Sequence, residues 1–255
     1  MNLSEARAVV TGGASGLGLA VVERVVAAGG RAAILDLQDG PGEAAATRLG
    51  RNAAYVHCDV TKESEVQSAV ARAHEKLGGI NLVVNCAGVI GAGRALGREG
   101  PMPGEVFVKT VHINLVGTFF VDKTAAALMQ KNSPTADGER GLLIHTSSVA
   151  AFEGQIGQVA YSATKAGVMG MVLPLAREFA QFGIRVMAIA PGIFMTPMAS
   201  GMKPEIQQSL AAQVPFPPRF GKPEEYAQLV QAIFENPMLN GETIRLDGAI
   251  RMQPK

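Results

Sequence analysis

The most informative segment of the chain is Thr11-Gly12-Gly13-Ala14-Ser15-Gly16-Leu17-Gly18. It follows the apolar run Ala6–Val10, which is typical of a buried strand, and it opens the amphipathic segment Gly16–Ala28, which is typical of a helix. Glycine permits the tight turn between them and lets backbone N–H groups at the positive end of the helix approach a pyrophosphate. Glycines without this context would indicate only a turn, whereas their place between strand and helix predicts a dinucleotide-binding loop.

Strand and helix patterns alternate along the rest of the chain. Continuous apolar runs bounded by amphipathic segments are typical of parallel strands covered by helices on both faces. Right-handed crossovers then give a doubly wound sheet. We therefore predict an α/β protein, a single-domain Rossmann fold over residues 1–255 with a seven-stranded parallel sheet. The further predicted strands are Arg31–Asp36, Ala53–His57, Ile80–Asn85, Leu142–Thr146, Ile184–Ala190 and Thr243–Leu246, and the further predicted helices are Lys62–Leu77, Glu105–Gln130, Ile156–Gln181 and Pro223–Phe234.

Two segments, near 88–104 and 193–221, interrupt this alternation. The first holds six glycines and two prolines and is long for a connection inside a compact domain. The second is rich in Met, Phe and Pro. Both follow the carboxyl ends of predicted strands, where open α/β sheets bind ligands. We interpret them as substrate-loop insertions, the second as a lid over an acyl or ring-like substrate; mobile surface loops are the alternative.

The composition excludes several classes of protein. Hydrophobic residues make up 47% of the 255 residues, which excludes an intrinsically disordered chain. The 23 basic and 22 acidic residues give a net charge of +1, so neither nucleic acid nor a membrane surface is an expected partner.

The four histidines lack a ligand spacing such as HExxH, so no metal is expected, and His145 is interpreted as a core histidine. With two cysteines, no signal peptide and no apolar run of about 18 residues, the chain is predicted to be cytoplasmic.

An acidic residue ends the second predicted strand. Asp36 lies 18 residues beyond Gly18, where a carboxylate can accept hydrogen bonds from both hydroxyls of an adenosine ribose and would repel a 2′-phosphate. Neither Leu37 nor Gln38 is basic, so the sequence favours NAD over NADP. A solvated aspartate at the end of a strand is the alternative.

Tyr161 and Lys165 lie four residues apart in the predicted helix Ile156–Gln181, so their side chains share one face. A free tyrosine hydroxyl has a pKa of about 10 and is a poor base at neutral pH. A neighbouring ammonium and a positive nicotinamide ring would both lower that pKa, and a shift of about 3 units corresponds to about 4 kcal/mol. For an isolated tyrosine and lysine at this spacing, a buried tyrosine packed beside a lysine would be the simpler interpretation.

Three motifs, in this order, resemble the short-chain dehydrogenase/reductase family. They are the TGxxxGxG spacing of residues 11–18, Asn85-Cys86-Ala87-Gly88, and Tyr161-Ser162-Ala163-Thr164-Lys165, with Ser148 placed 13 residues before the tyrosine. The resemblance covers essentially the whole chain. It implies that Ser148 holds the substrate oxygen while Tyr161 exchanges a proton and C4 of the nicotinamide exchanges a hydride.

The same resemblance assigns further residues to the site. It implies that Asn114 holds a proton-relay water beside the lysine, with helix capping or packing as the alternative. Ser147 adjoins Ser148, and the 13-residue spacing to Tyr161 favours Ser148. Cys86 is interpreted as a wall of the cofactor site rather than a nucleophile. The implied cofactor-binding residues are Gly12, Ser15, Gly16, Leu17, Gly18, Asp36, Asp59, Val60, Cys86, Ala87, Gly88, Tyr161, Lys165, Pro191, Gly192, Phe194 and Thr196.

Further stretches resemble the subfamily that oxidises L-3-hydroxyacyl-CoA esters. The resemblance implies an NAD-dependent enzyme of fatty acid metabolism that forms 3-oxoacyl-CoA, also acts on hydroxysteroids, and assembles as a homotetramer. The candidate substrate contacts are Ser148, Gln155, Gln158 and Tyr161. The stretches that carry the resemblance are Ser148–Gln155, Gln213–Phe216, Gln231–Ile233, Leu239–Glu242 and Ile244–Gln253.

Two features depart from the family pattern, and two other functions are weighed against it. Gly248-Ala249 stands where a Gly-Gly pair is common. The targeting segment of mitochondrial members is missing, as expected of a bacterial or mature form. A 3-oxoacyl carrier-protein reductase, which uses NADPH, is the alternative enzyme, and Asp36 argues against it. An NAD-binding scaffold subunit is the alternative of another class, and the intact set of Ser148, Tyr161 and Lys165 argues against it.

Overall fold

A computed structural model describes residues 1–201 and 203–254 of the chain, with every side chain among them except that of Met198. Strands and helices alternate along it. The strands are β1 Arg7–Thr11, β2 Arg31–Asp36, β3 Ala53–His57, β4 Leu82–Asn85, β5 Leu96–Gly97, β6 Gly100–Pro101, β7 Gly141–Thr146, β8 Ile184–Pro191 and β9 Thr243–Leu246. The helices are α1 Gly16–Ala27, α2 Asp39–Leu49, α3 Glu63–Leu77, α4 Gly104–Val111, α5 Gly117–Met129, α6 Val159–Phe179, α7 Pro197–Ser200, α8 Pro204–Ala211 and α9 Pro223–Glu235.

Seven strands form one parallel sheet in the order β3-β2-β1-β4-β7-β8-β9. Because β1 pairs with β2 on one side and with β4 on the other, the winding direction of the chain reverses between β1 and β4. Open α/β sheets bind ligands beyond the carboxyl ends of the strands at such a reversal. The predicted doubly wound fold is confirmed, and the ends of its strands differ from the prediction by at most two residues.

Helices pack on both faces of the sheet and bury its central strands. Helices α3, α5 and α6 cover one face, and α1, α2 and α9 cover the other. Val9 and Val83 face the first layer, Val10 and Val84 face the second, and all four are 0% exposed. Burying a valine side chain contributes about 1.5–3 kcal/mol. Strands buried on both faces therefore appear in the sequence as continuous apolar runs rather than alternating ones.

Two predicted helices have different bounds in the structure. The helix predicted over Glu105–Gln130 is divided into α4 and α5 by a π-helical turn at His112–Val116. One extra residue in a turn leaves no clear signal in the apolar periodicity, and such turns are frequent at functional sites. The helix predicted from Ile156 begins only at Val159, because Gly157 has a φ of +91°, which no residue of a right-handed helix adopts.

The segments that interrupt the alternation contain short elements. In residues 88–104, β5 and β6 form a small antiparallel hairpin. Residues 193–221 contain α7 and α8, and a bridge between Phe194 and Gly221 closes the base of this segment. The sequence does not predict α2, because its first turn contains Gly40, Pro41 and Gly42, which are poor helix formers.

The region Val159–Phe182 is long and apolar enough to cross a membrane when judged by length and composition, with a mean hydropathy of 1.2. In this fold the region is a helix of the core. Val168, Val172 and Ala176 are buried, and the last two belong to the cluster that covers one face of the sheet. A buried core helix passes the same test as a membrane span, and packing against the sheet accounts for the buried part of the apolar composition of α6.

Candidate active site

A cleft of about 1100 Å³ opens at the carboxyl ends of β1, β4 and β7. Sites for a drug-sized ligand measure about 300–1,000 Å³, so the cleft has room for more than one small molecule. The sequence assigns a set of residues to cofactor, substrate or catalysis, and all of them line this cleft except Asn114. The fold therefore brings together side chains that lie up to about 180 residues apart in the chain.

The glycine loop has the backbone that a pyrophosphate requires. Gly12 has a φ of +63°, and a Cβ atom there would lie 2.8 Å from the backbone N of Ala87. A Cβ atom on Gly18 would collide with the carbonyl oxygen of Gly12. Ser15 directly precedes α1 and makes no side-chain capping bond, so its hydroxyl and the first N–H groups of the helix can meet a phosphate.

Asp36 lies at the cleft end of β2, beside the glycine loop. Its Oδ2 accepts the N–H of Ala14 at 3.1 Å and its Oδ1 accepts the N–H of Gln38 at 3.0 Å. Each carboxylate oxygen retains a second lone pair, which can accept a ribose hydroxyl. The neighbouring Leu37 is 60% exposed and offers no charge to a 2′-phosphate. The donors and acceptors of the loop and of Asp36 thus fit a dinucleotide with a free adenosine ribose.

Three polar side chains converge in the cleft from β7 and α6. Ser148 follows β7, and its Oγ accepts the N–H of Ala150 at 3.1 Å. Tyr161 and Lys165 lie one turn apart on α6, with Lys165 Nζ 5.6 Å from the centre of the Tyr161 ring. The Ser148 side chain acts to lower the pKa of Tyr161, and both side chains line the cleft. A serine, a phenol and an ammonium in this arrangement can bind an alcohol oxygen and move its proton.

Ser147 has a different role from Ser148. Its Oγ donates a hydrogen bond to the backbone carbonyl of Lys165 at 2.8 Å, in a buried position, so this hydroxyl ties α6 to the end of β7. The structure therefore supports the choice of Ser148 as the hydroxyl that faces a substrate.

Comparisons with known proteins agree with this geometry. A family model described as short chain dehydrogenase matches residues 6–207. The chain belongs to this family. Human 3-hydroxyacyl-CoA dehydrogenase type-2 is 53% identical over 249 residues, which are 97% of this chain and 95% of the human protein. The protein of the same name from Drosophila melanogaster is 48% identical over 254 residues, 99% of this chain and 100% of the relative.

Solved structures show the same relationship. The crystal structure of 3-hydroxyacyl-CoA dehydrogenase type-2 from Mycobacterium avium has a TM-score of 0.92 and 41% sequence identity, and the match covers 97% of this chain and 96% of that chain. The resemblance to the short-chain dehydrogenases is confirmed, and the chain is an oxidoreductase of that family.

Burial governs the titration of Tyr161 and Lys165 in this dehydrogenase. Burial lowers the pKa of Lys165 to about 8, and the nearby Cys86 opposes that shift. Burial raises the pKa of Tyr161, and the opposing effect of the Ser148 side chain is smaller. The sequence predicts that Lys165 and a positive nicotinamide together lower the pKa of Tyr161; in the protein alone, burial sets the direction of the shift. Lys165 Nζ lies over the tyrosine ring and donates to the carbonyl oxygen of Thr146 at 2.6 Å.

We expect the substitution Lys165→Met to raise the free energy of unfolding of the cofactor-free dehydrogenase. The folded state holds this amine at a pKa of about 8 instead of 10.5, so below pH 8 the buried ammonium costs about 3 kcal/mol. Between the two pKa values the unfolded state binds more protons, so the stability of the parent rises with pH. Methionine has a similar volume and no charge.

Urea unfolding of the parent and of Lys165→Met measures this difference. The stability gap should be about 3 kcal/mol near pH 7 and should shrink toward zero above about pH 10. A gap that stays constant across this range would contradict the lowered pKa.

Asn114 lies behind the cleft, in the π-helical turn. Its Nδ2 donates to the carbonyl of Val89 at 2.9 Å and to Thr164 Oγ1 at 3.0 Å, and its Oδ1 accepts the N–H of Val89 at 2.8 Å. Its backbone carbonyl accepts Thr118 Oγ1 at 2.8 Å. The side chain therefore fixes the segment after β4 against α6, and the water-holding role implied by the resemblance stays a prediction.

Cys86 forms a wall of the cleft and contacts two residues that the sequence does not single out. Thr146 Oγ1 lies 3.4 Å from Cys86 Sγ and 2.8 Å from the hydroxyl of Tyr226. Burial raises the pKa of the Cys86 thiol, so the group stays neutral and is a poor nucleophile. Tyr226 is 0% exposed and reaches the cleft wall from α9. The one feature of the sequence that could have drawn attention to Tyr226 is that tyrosine is scarce, with three in the chain.

The C-terminal segment packs beside the candidate substrate contacts. Gln155 and Gln158 both line the cleft, as does Met252. Gln155 Nε2 donates to the carbonyl of Gln253 at 2.9 Å. The sequence misses this part of the site because it joins segments about 100 residues apart without a motif.

The two loop insertions contribute unequally to the cleft. From residues 193–221, Ala199 and Leu210 line it, and the interpretation of this segment as a lid stays a prediction. From residues 88–104, only Gly88, Val89 and Ile90 line it. The part 93–96 instead borders a second cavity of about 490 Å³, together with residues of 154–162. Most of the first insertion is therefore outside the main cleft.

In the described ranges 1–201 and 203–254, no group of three or more His, Cys, Asp and Glu side chains is placed to hold a metal ion.

Proposed function

We propose that this dehydrogenase oxidises the 3-hydroxyl group of L-3-hydroxyacyl-CoA esters with NAD, and also accepts hydroxysteroids. The observation that carries the proposal is the convergence of Ser148, Tyr161 and Lys165 in one cleft. The glycine loop and Asp36 line the same cleft, and the carboxylate favours a ribose without a 2′-phosphate. The relatives named 3-hydroxyacyl-CoA dehydrogenase type-2, about half identical over nearly the whole chain, support the substrate class.

In the proposed mechanism, bound NAD supplies the hydride acceptor. The Ser148 hydroxyl donates a hydrogen bond to the substrate oxygen and orients the alcohol. The Tyr161 oxygen, as phenolate, accepts the hydroxyl proton while the hydride leaves the carbinol carbon, so a ketone forms. The Lys165 ammonium stabilises the phenolate electrostatically. In the direction of reduction, Tyr161 returns the proton to the same oxygen.

Without the charge of an oxidised cofactor, the protein disfavours proton abstraction by Tyr161. Burial raises the pKa of Tyr161, so the protein alone favours the neutral phenol. Lys165, with a pKa of about 8, stays mostly protonated at neutral pH. The positive charge of an oxidised nicotinamide favours the phenolate. We infer that proton abstraction becomes efficient only when the oxidised cofactor is bound, which favours binding of cofactor before substrate.

A substrate panel tests the proposal. Initial rates with NAD and with NADP should be measured for short and branched L-3-hydroxyacyl-CoA esters and for hydroxysteroids. D-3-hydroxybutyryl-CoA is the matched control, because it has the same groups and only the configuration at C3 differs. We expect the L-esters with NAD to have the highest kcat/KM.

Three outcomes would contradict parts of the proposal. A tenfold better rate with NADP would favour a 3-oxoacyl carrier-protein reductase. Equal rates with the D and L esters would contradict the orientation of the alcohol by Ser148 and Tyr161. Turnover confined to hydroxysteroids would reject the acyl-CoA substrate.

A further inference from the structure

A buried polar cluster ties two strands together directly beneath the candidate active site. Asp122 on α5 accepts Asn85 Nδ2 through Oδ1 at 2.8 Å, and its Oδ2 lies 2.7 Å from His145 Nε2. Asn85 on β4 and His145 on β7 are register partners in the sheet. Asp122 and His145 are 0% exposed and Asn85 is 3% exposed. One carboxylate thus joins the last part of two neighbouring strands.

This cluster lies outside the lining of the cleft, and burying its polar groups costs free energy. Asp122 and His145 do not line the cleft, so neither can exchange a proton with a substrate. Within the described part of the chain, His145 Nδ1 and Asn85 Oδ1 are buried without a hydrogen-bond partner. Burying a charge and unpartnered polar atoms is costly, and apolar side chains often fill such a site with equal or greater stability.

The strand end that the cluster holds also holds Lys165. The residue after His145 is Thr146, whose carbonyl oxygen accepts Lys165 Nζ at 2.6 Å. Because side chains alternate across a strand, His145 points to α5 while the Thr146 hydroxyl meets Tyr226 of α9, at 2.8 Å. The peptide that anchors the lysine is therefore fixed from both faces of the sheet.

We propose that Asp122 and His145 are positioning residues, which fix the end of β7 so that the Thr146 carbonyl holds Lys165 Nζ in place beside Tyr161. The inference rests on the role proposed above for Lys165. A displacement of about 1 Å in a catalytic group can cost a factor of about 100 in rate. The cluster acts through the backbone and takes no part in proton transfer.

The substitutions Asp122→Leu and His145→Leu test the proposal. Asp122→Leu removes both hydrogen bonds, and His145→Leu removes one and leaves the bond between Asn85 and Asp122. We expect kcat, counted per NADH-binding site, to fall about 10- to 100-fold in both variants, with the dissociation constant for NADH within about threefold of the parent.

The pH dependence of kcat gives a second readout, which loss of stability alone would not change. The titratable neighbours of Lys165 are Tyr161 and Cys86. When the Thr146 carbonyl moves away, the buried ammonium loses an acceptor and its pKa falls further. The alkaline limb of the kcat profile that follows from deprotonation of Lys165 should therefore move to lower pH in both variants.

Two further variants separate positioning from stability. Asp122→Asn can accept from Asn85 through its oxygen and donate to His145 through its amide, so it should retain at least a third of the parent kcat. Val121→Ala is the matched control, because Val121 is 0% exposed on the same helix. It should lower Tm and leave kcat per binding site and the pH profile unchanged.

The results that overturn the proposal are distinct from those that overturn the function of Lys165. If either leucine variant binds NADH and keeps kcat within threefold of the parent with the same pH profile, the positioning role is wrong. If neither leucine variant binds NADH, the cluster is a determinant of folding only, and the proposal is rejected. If Lys165→Met retains parental turnover, the role of Lys165 itself is wrong.

Discussion

Replacing Tyr161 with phenylalanine should lower kcat about 10³- to 10⁴-fold and leave NADH binding intact. General acid–base catalysis contributes about 10²- to 10⁴-fold, and the phenol oxygen of Tyr161 is the proposed proton acceptor, which places the expected loss at the upper end. The substitution removes a single oxygen. The ring, whose centre lies 5.6 Å from Lys165 Nζ, remains to fill the buried space.

The measurement pairs steady-state kinetics with a fluorescence titration of NADH. Ser162→Ala is the matched control, because Ser162 follows Tyr161 on the same helix and its buried Oγ has no hydrogen-bond partner in the described part of the chain. It should retain parental kcat. Loss of NADH binding in Tyr161→Phe would show a structural role for the phenol, and turnover above a tenth of the parent would reject Tyr161 as the proton acceptor.

Replacing Asp36 with alanine should change the choice of cofactor by a factor of about 100. Hydrogen bonds to a charged group contribute about 1.5–3 kcal/mol, so the loss of the ribose acceptor should lower kcat/KM for NAD about 10- to 100-fold. Removing the negative charge should raise kcat/KM for NADP, because a 2′-phosphate is no longer repelled. The N–H groups of Ala14 and Gln38, which Asp36 accepts, become available to the phosphate.

The ratio of kcat/KM for NAD to that for NADP, with one alcohol substrate, checks this expectation. A second variant, Asp36→Ala with Leu37→Arg, should move the ratio further toward NADP, because residue 37 is 60% exposed and an arginine there can reach a phosphate without disturbing the core. A ratio that stays within threefold of the parent in both variants would refute the ribose-binding role of Asp36.

The sequence selects residues that line one cleft, whereas it misses some bounds of the helices around that cleft. The glycine loop, Asp36, Ser148 and the Tyr161–Lys165 pair are recognisable because each has a fixed local spacing to a strand or helix that itself has a strong apolar pattern. The π-helical turn at His112–Val116 has no such pattern, because a turn with one extra residue alters the apolar periodicity only locally.

The sequence by itself therefore determines the fold class, the place of the glycine loop and the choice of side chains proposed to react, which converge in one cleft. These follow from short-range rules: apolar periodicity, glycine at positive φ, and the four-residue repeat of a helix face. Only the tertiary structure decides how those side chains titrate and what holds them. The low pKa of Lys165 depends on burial. Lys165 donates to the carbonyl oxygen of Thr146, and Asp122 accepts a hydrogen bond from Asn85. Both contacts join segments that are distant in the chain, so no local sequence motif indicates them.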